Sequence, residues 1–280
     1  MDSPIPETFP ELKVGTEPAI DLSQSALSEV QNEFLAHQFA MERQRWVSED
    51  YVKHQKELTT TMRKIVIDWL AEVQLRLKIG SNNLHLAVAL MDRFLSLRSC
   101  PKSKFQLVAV ACLYLASIYD EKYCCGIQDF VYITSHSCSV QSISKTTEIL
   151  LEALAYQLHC PTIFYFADIY FEHLPDVKKR TRALVRYFAE QGLLDLELLR
   201  QHRPSELAFA SLYLANRWGK QKLDLRPVRR LTGYSGRNQR QCIASLEASI
   251  RLASTPSSAI RKKYAKSTKH FEFPDDKQIN

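Results

Sequence analysis

Glycine is scarce, with seven in 280 residues, and no stretch alternates apolar with polar residues for long enough to build a sheet. Both absences favour a helical chain. Catalytic signatures are missing as well: GxSxG, HExxH, GxGxxG and GxxxxGK do not occur, so the usual patterns for nucleophilic, zinc, dinucleotide and nucleotide chemistry are excluded. No segment has signal-peptide order, and none reaches membrane-spanning length. The expectation is an intracellular protein, in the nucleus, the cytoplasm or both, with no membrane partner. Seven cysteines, odd in number, scattered and without a CxxC pair, read as reduced thiols. The net charge of +6 reads as dispersed, which allows acidic partners without predicting nucleic-acid binding.

What the sequence does contain is an apolar run, Leu107 to Ala116 (LVAVACLYLA), with no face left for water if helical. It predicts the centre of a domain, with Ala109, Ala111 and Ala116 letting neighbours approach. The run recurs: AVACLYLA from Ala109 is echoed by AFASLYLA from Ala208, 99 residues on, with six of eight positions identical. Two copies of one helical domain follow from that repeat.

Around these centres the order is legible. Residues 1–23, with four prolines and an acidic excess, read as a flexible extension. A helix is predicted over Ser28–Trp46, another from Thr59–Thr61 to Arg76, and another over Ser81–Ser96 with Leu84, Val88, Met91 and Leu95 inward. A short helix over Gly126–Ile133 and a longer one over Ser139–Leu158, carrying Ile143, Ile149, Leu150, Leu154 and Leu158, complete the first copy. The second is predicted in helices near Thr162–His173, Asp176–Gln191, Ser205–Trp218, Leu225–Leu231 and Gly236–Ala253. The basic end, with Arg261, Lys262, Lys263, Lys266 and Lys269, reads as solvated.

Two clusters carry little chemistry. Cys124, Cys125, His136 and Cys138 have the wrong spacing for a tetrahedral metal site and read as ordinary thiols. The run Lys178–Arg180 reads as a solvated helix face. No metal or cofactor is expected.

Met62 to Val73 (MRKIVIDWLAEV) resembles the signature that opens the cyclin box. LMDRFLS around Asp92, FQLVAVA around Leu107, Asp120 and Glu121 after ASIY, LLEALAYQL after Ile149, and Pro161-Thr162 follow in that family's order and spacing. KYAKSTKH from Lys263 is similar to the close of B-type mitotic cyclins. The chain resembles A/B-type cyclins, in feel the B-type. The resemblance implies an all-α fold of two tandem five-helix cyclin folds: residues 24–159 with an N-terminal helix, residues 160–265, and a tail over 266–280. It also implies a regulatory subunit, itself no enzyme, that binds and activates a cyclin-dependent kinase in cell division, around G2/M.

By position, the resemblance makes Arg63 and Asp92 an internal ion pair. It makes Tyr119, Asp120, Glu121, Glu148 and Tyr156 kinase contacts. Met62, Ile65, Val66, Trp69, Glu72 and Gln106 become a groove for basic-x-leucine motifs on substrate or inhibitor proteins, with an apolar trough for the leucine and Glu72 for the basic side chain. Ile118 departs from the family, which has a lysine there, and so loses three charge-assisted donors. Cys124 and Cys125 stand where prolines are usual, and no arginine is followed three positions later by leucine, the family's destruction-box pattern. The rivals are a cyclin-fold transcription initiation factor, which carries an N-terminal zinc ribbon and a strongly basic second repeat, and a scaffold that does not activate a kinase.

Overall fold

The computed structural model describes residues 24–120, 125–252 and 258–265. Among these there is no strand, and no helix is long and apolar enough to cross a membrane. The helices are α1 (Gln24–Arg45), α2 (Thr60–Arg76), α3 (Ser81–Leu97), α4 (Lys102–Asp120), α5 (Ile127–Ile133), α6 (Val140–Ala153), α7 (Ile163–Glu172), α8 (Lys179–Leu193), α9 (Leu196–Gln201), α10 (Pro204–Trp218), α11 (Arg226–Thr232), α12 (Arg240–Leu252) and α13 (Ala259–Tyr264), with a 3-10 turn over Tyr51–His54. The chain divides into two units between His37 and Gln38, and the described residues after that point carry both helical copies.

The starts are set by local chemistry. Thr59 accepts from the Met62 amide, Thr162 from the Tyr165 amide and Asp195 from the Leu198 amide, each satisfying an orphan donor of the first turn. Ser139 and Ser142 form a reciprocal capping box at α6.

The 99-residue repeat extends from sequence to architecture. Helix α5 begins at 127 and α11 at 226, α4 and α10 share the echoed segment, and α6 and α12 differ by 100 at their starts and 99 at their ends. Each copy is built around its apolar helix: α4 packs on α2, α3, α5 and α6, and α10 on α7, α8 and α12. Within the echo Tyr114 and Tyr213 occupy the same register, and both are half-buried while their neighbours are buried. The all-round burial predicted for Leu107–Ala116 therefore has two exceptions, Leu107 and Tyr114.

Other differences have local causes. Helix α6 stops at Ala153 because Ala155 and Tyr156 take left-handed φ of 50° and 58°. Helix α8 starts at Lys179 because Asp176 sits at φ 53°. Helix α12 starts at Arg240 rather than Gly236, because Ser235 and Asn238 hold a turn first. Helix α9 adds to the helices that periodicity predicts.

The basic end is not simply solvated. Asp68 of α2 accepts from the Ser258 hydroxyl (2.7 Å) and the Ala259 amide (3.0 Å), capping α13 from another element. Lys263, its side chain 9% exposed, donates to Gln74, Ser81 and Glu190, the last at 2.6 Å. Helix α13 thus straps α2 of the first copy to α8 of the second, and the buried cation is paired rather than orphaned. Lys266 and Lys269 lie outside the described residues.

A second tie runs from the end of α1. Glu42, 2% exposed, accepts from the Ser205 amide (2.5 Å) and hydroxyl (2.9 Å), closing the open amino end of α10. Burial pushes the Glu42 carboxyl up to about 7, against the bonds from Ser205 that pull it down. The unfolded chain releases this proton near its ordinary 4.5, so stability is lost as pH rises from there through about 7. The full loss is on the order of 3 kcal/mol. Glu42→Gln keeps an acceptor for Ser205 and removes the titration. Its melting temperature is expected to gain on the wild type between pH 4.5 and about 8. A difference that stays constant across that window, in paired melting curves, contradicts this.

Candidate functional site

Arg63 and Asp92 are brought together as the sequence implied. Arg63 Nη2 lies 2.6 Å from Asp92 Oδ2 and Nε 2.9 Å from Oδ1, with Arg63 2% exposed. Two further partners were not legible in the sequence. The Tyr51 hydroxyl donates to Asp92 Oδ1 at 2.6 Å, and Arg63 Nη1 donates to the Leu193 carbonyl at 2.8 Å. The guanidinium therefore joins α2 and α3 to the end of α8, across both copies. Burial alone would lower the Arg63 pKa, but the Asp92 carboxylate more than offsets it and holds it above its ordinary value. The Tyr51 hydroxyl is held well above its ordinary range by burial, then by Asp92.

The family-aligned kinase contacts sit on the carboxyl end of α4 and on α6, which pack together. Ile118 is 42% and Tyr119 48% exposed, at the point where the buried run of α4 gives out. Glu148 is exposed on α6. Tyr156 is 70% exposed, carried outward by the left-handed turn after α6, whose Tyr156 amide donates to the Leu151 carbonyl at 2.8 Å. Asp120 also serves the fold. It accepts from Asn82 Nδ2 at 2.8 Å, and Asn82 Oδ1 accepts from Thr162, the cap of α7. Glu121 lies outside the described residues.

Of the apolar residues carried by α6, Ile149 is exposed beside Glu148 and lines a cleft of about 310 Å³ with Leu107, Lys104, Lys145 and Phe94. Helix α6 turns Ile143, Thr147 and Leu150 to the core, which leaves positions 148 and 149 on the opposite side. The only sequence signal for this was an isoleucine and a leucine adjacent in one turn, of which a single helix face can bury one.

On α2 the core takes Ile67, Leu70, Ala71 and Val73. Met62, Val66 and Trp69 are half-buried against that core, while Ile65 is 63% exposed. Gln106 is exposed on the adjoining α4. Glu72 is half-buried and pairs with Arg76 one turn on, so a basic residue arriving there must displace an intrahelical partner.

The described cysteines are reduced thiols, and their chemistry is quiet. Burial pushes the Cys100 thiol up to about 11 and lifts those of Cys112 and Cys242 further. Cys124 lies outside the described residues; among the described ones no group of three or more side chains could hold a metal.

Tandem helical bundles, each around one largely buried apolar helix, with an arginine–aspartate pair locking the first, define the architecture. Residues 33–159 match the model of the cyclin N-terminal domain and residues 161–274 that of the cyclin C-terminal domain, and the chain belongs to the cyclin family. Its relatives include human cyclin-A1, 36% identical over 215 residues, covering 76% of this chain and 46% of that protein. The G2/mitotic-specific cyclin cdc13 of Schizosaccharomyces pombe is 37% identical over 227 residues, covering 78% and 45%. The chain spans about half the length of the curated relatives it matches. Both A-type and mitotic relatives appear at this level, which makes it a divergent A/B-type cyclin. In fold it is similar to a viral cyclin from herpesvirus saimiri, with a TM-score of 0.71 at 13% identity, covering 78% of this chain and 97% of that one. It is also similar to a chain of the yeast RNA Pol II CTD kinase complex CTDK-1, with a TM-score of 0.55 at 15% identity, covering 76% and 70%.

Proposed function

We propose that this cyclin binds and activates a cyclin-dependent kinase in the cell-division cycle, around G2/M, acting in the nucleus, the cytoplasm or both. The observation that carries the reading is the side of the first box where Ile118, Tyr119, Glu148, Ile149 and Tyr156 are all exposed although four of the five are large and apolar or aromatic. Such exposure is costly in isolation and marks a surface that a partner covers. Contact there would favour the active arrangement of the kinase, an allosteric effect equal to the difference in contact energy between its two states. The test is copurification from dividing cells followed by a histone-kinase assay. Kinase activity that tracks the chain supports the reading, and kinase binding without activity leaves a scaffold.

Ile118 tunes this contact. Charge-assisted hydrogen bonds are worth about 1.5 to 3 kcal/mol, so Ile118→Lys is expected to raise affinity for a typical cell-cycle kinase by about tenfold per 1.4 kcal/mol realised. Dissociation constants of both variants against such a kinase and against the native one decide it. A loss with both makes Ile118 a positive apolar contact instead.

Substrate docking is assigned to Met62, Ile65, Val66, Trp69, Glu72 and Gln106. Trp69 is a poor probe, because its half-buried ring supports the core. Ile65 is the better one. Ile65→Ala is expected to leave the melting curve unchanged and to reduce phosphorylation of a substrate bearing a basic-x-leucine motif by roughly tenfold, the loss of one well-packed anchor. A short substrate without the motif should be unaffected. Equal loss on both substrates removes Ile65 from the groove.

A further inference from the structure

The net charge of +6 is not spread over the chain. Residues 217–240 carry eight lysines and arginines against one acid, Asp224, a balance of +7 that leaves the other 256 residues at −1. This corrects the reading of the charge as dispersed. From Leu225 to Leu246 no acidic residue occurs, and every cation is an arginine: Arg226, Arg229, Arg230, Arg237 and Arg240. All five are exposed.

Neutralisation is incomplete. Asp224 is taken by Arg226 at 2.7 Å, and Glu247 by Arg217 and Arg251. No ion pair joins Arg229, Arg230, Arg237 or Arg240 to a described acidic residue. Arg229 and Arg230 on α11, Arg237 in the turn after it and Arg240 are like charges within twelve residues, and Arg240 opens α12, where the helix dipole disfavours a cation.

The backbone that carries them is nevertheless fixed. Gly233 ends α11 at φ 74°, which only glycine adopts freely. Asn238 donates to the Gly233 carbonyl at 2.8 Å and accepts from the Ser235 amide at 2.7 Å. A Cβ on Gly236 would stand 2.8 Å from the Tyr213 ring, so the turn lies flat against α10. Gln239, between Arg237 and Arg240 in sequence, is buried. A fixed backbone carrying several exposed guanidinium groups suits a ligand with oxyanions, which arginine grips two bonds at a time.

We propose that this arginine surface of the second box binds phosphorylated peptide segments. A phosphate supplies about −1.5 to −2 charges and three acceptor oxygens, so one or two of them match the unneutralised arginines. The patch is confined to 24 residues of a chain otherwise near neutral, whereas nucleic acid is held by a long stripe of phosphate contacts. The choice of a phosphorylated protein segment rests on the reading of the chain as a kinase subunit, which would place such segments beside it. Bound there, an already phosphorylated substrate would be retained through a surface separate from the α2 groove.

The test is fluorescence polarisation with the full chain, without kinase, using a labelled peptide carrying two phosphoserines, its unphosphorylated form, and a short DNA duplex. The phosphorylated peptide is expected to bind at least about tenfold more tightly than the unphosphorylated one, about 1.4 kcal/mol. Replacing Arg229, Arg230, Arg237 and Arg240 by alanine should remove that advantage while the melting curve stays in place. Should this variant fold poorly, the pair Arg229→Gln and Arg237→Gln should lower the advantage by itself. No preference for phosphate, a preference that survives both variants, or tighter binding of the duplex through the same arginines overturns the proposal. Because no kinase is present, phosphopeptide binding by a chain that activates no kinase refutes only the function proposed above, and activation without phosphopeptide binding refutes only this inference.

Discussion

Arg63→Ala is expected to lower the melting temperature by on the order of 10 °C, the largest loss of stability predicted for any single side chain here. The variant leaves Asp92 buried with only the Tyr51 hydroxyl as a partner, and it leaves the Leu193 carbonyl without its donor. Breaking one side of a buried ion pair costs about 3 to 5 kcal/mol because an uncompensated charge remains. The cost belongs to the orphaned carboxylate more than to the lost attraction. Two comparisons separate these. Tyr51→Phe removes one hydrogen bond and should cost only about 1 kcal/mol. The double variant Arg63→Met with Asp92→Leu removes both charges and should be more stable than Arg63→Ala alone. A single variant that melts within about 2 °C of the wild type, less than 1 kcal/mol, contradicts the structural role.

The second large effect is on binding. Glu148→Arg is expected to weaken kinase association by about 2 to 5 kcal/mol, the range for a charge reversed in a desolvated contact. Glu148 is exposed on α6, so thermal stability should be unchanged, and that separates a lost contact from a lost fold. Measured by surface binding to purified kinase, the effect should appear mainly in dissociation, with Glu148→Gln in between. A folded Glu148→Arg variant that binds as well as the wild type takes Glu148 out of the interface and shifts the weight to Tyr119, Ile149 and Tyr156.

Much of the architecture could be read from local pattern. The echo of AVACLYLA at AFASLYLA depends only on residues within one helix of each copy, and its spacing recurs in the starts of α5 and α11 and in the ends of α6 and α12. Thr59, Ser139 and Thr162 announced helix starts because a cap acts within one turn. Arg63 and Asp92 were legible through the resemblance of their motifs, since charges in such apolar surroundings need a partner.

Other features were settled only when helices distant in sequence met. Ile149 and Leu150 are equivalent by composition, and the packing of α6 on α4 decides that Leu150 is buried and Ile149 is not. Lys263 reads as one more cation of a basic end until α13 docks beside Glu190, where the low-polarity surroundings make the pair obligatory. Glu42 caps α10 from 163 residues away, and Arg63 reaches Leu193 across 130. The sequence alone determined the longer helices and that they come twice, because periodicity and capping act over a few residues, while the short α9 and α13 were not predicted from it. The tertiary structure decided which surfaces stay open to partners, because a side chain's burial depends on the faces that long-range packing brings against it.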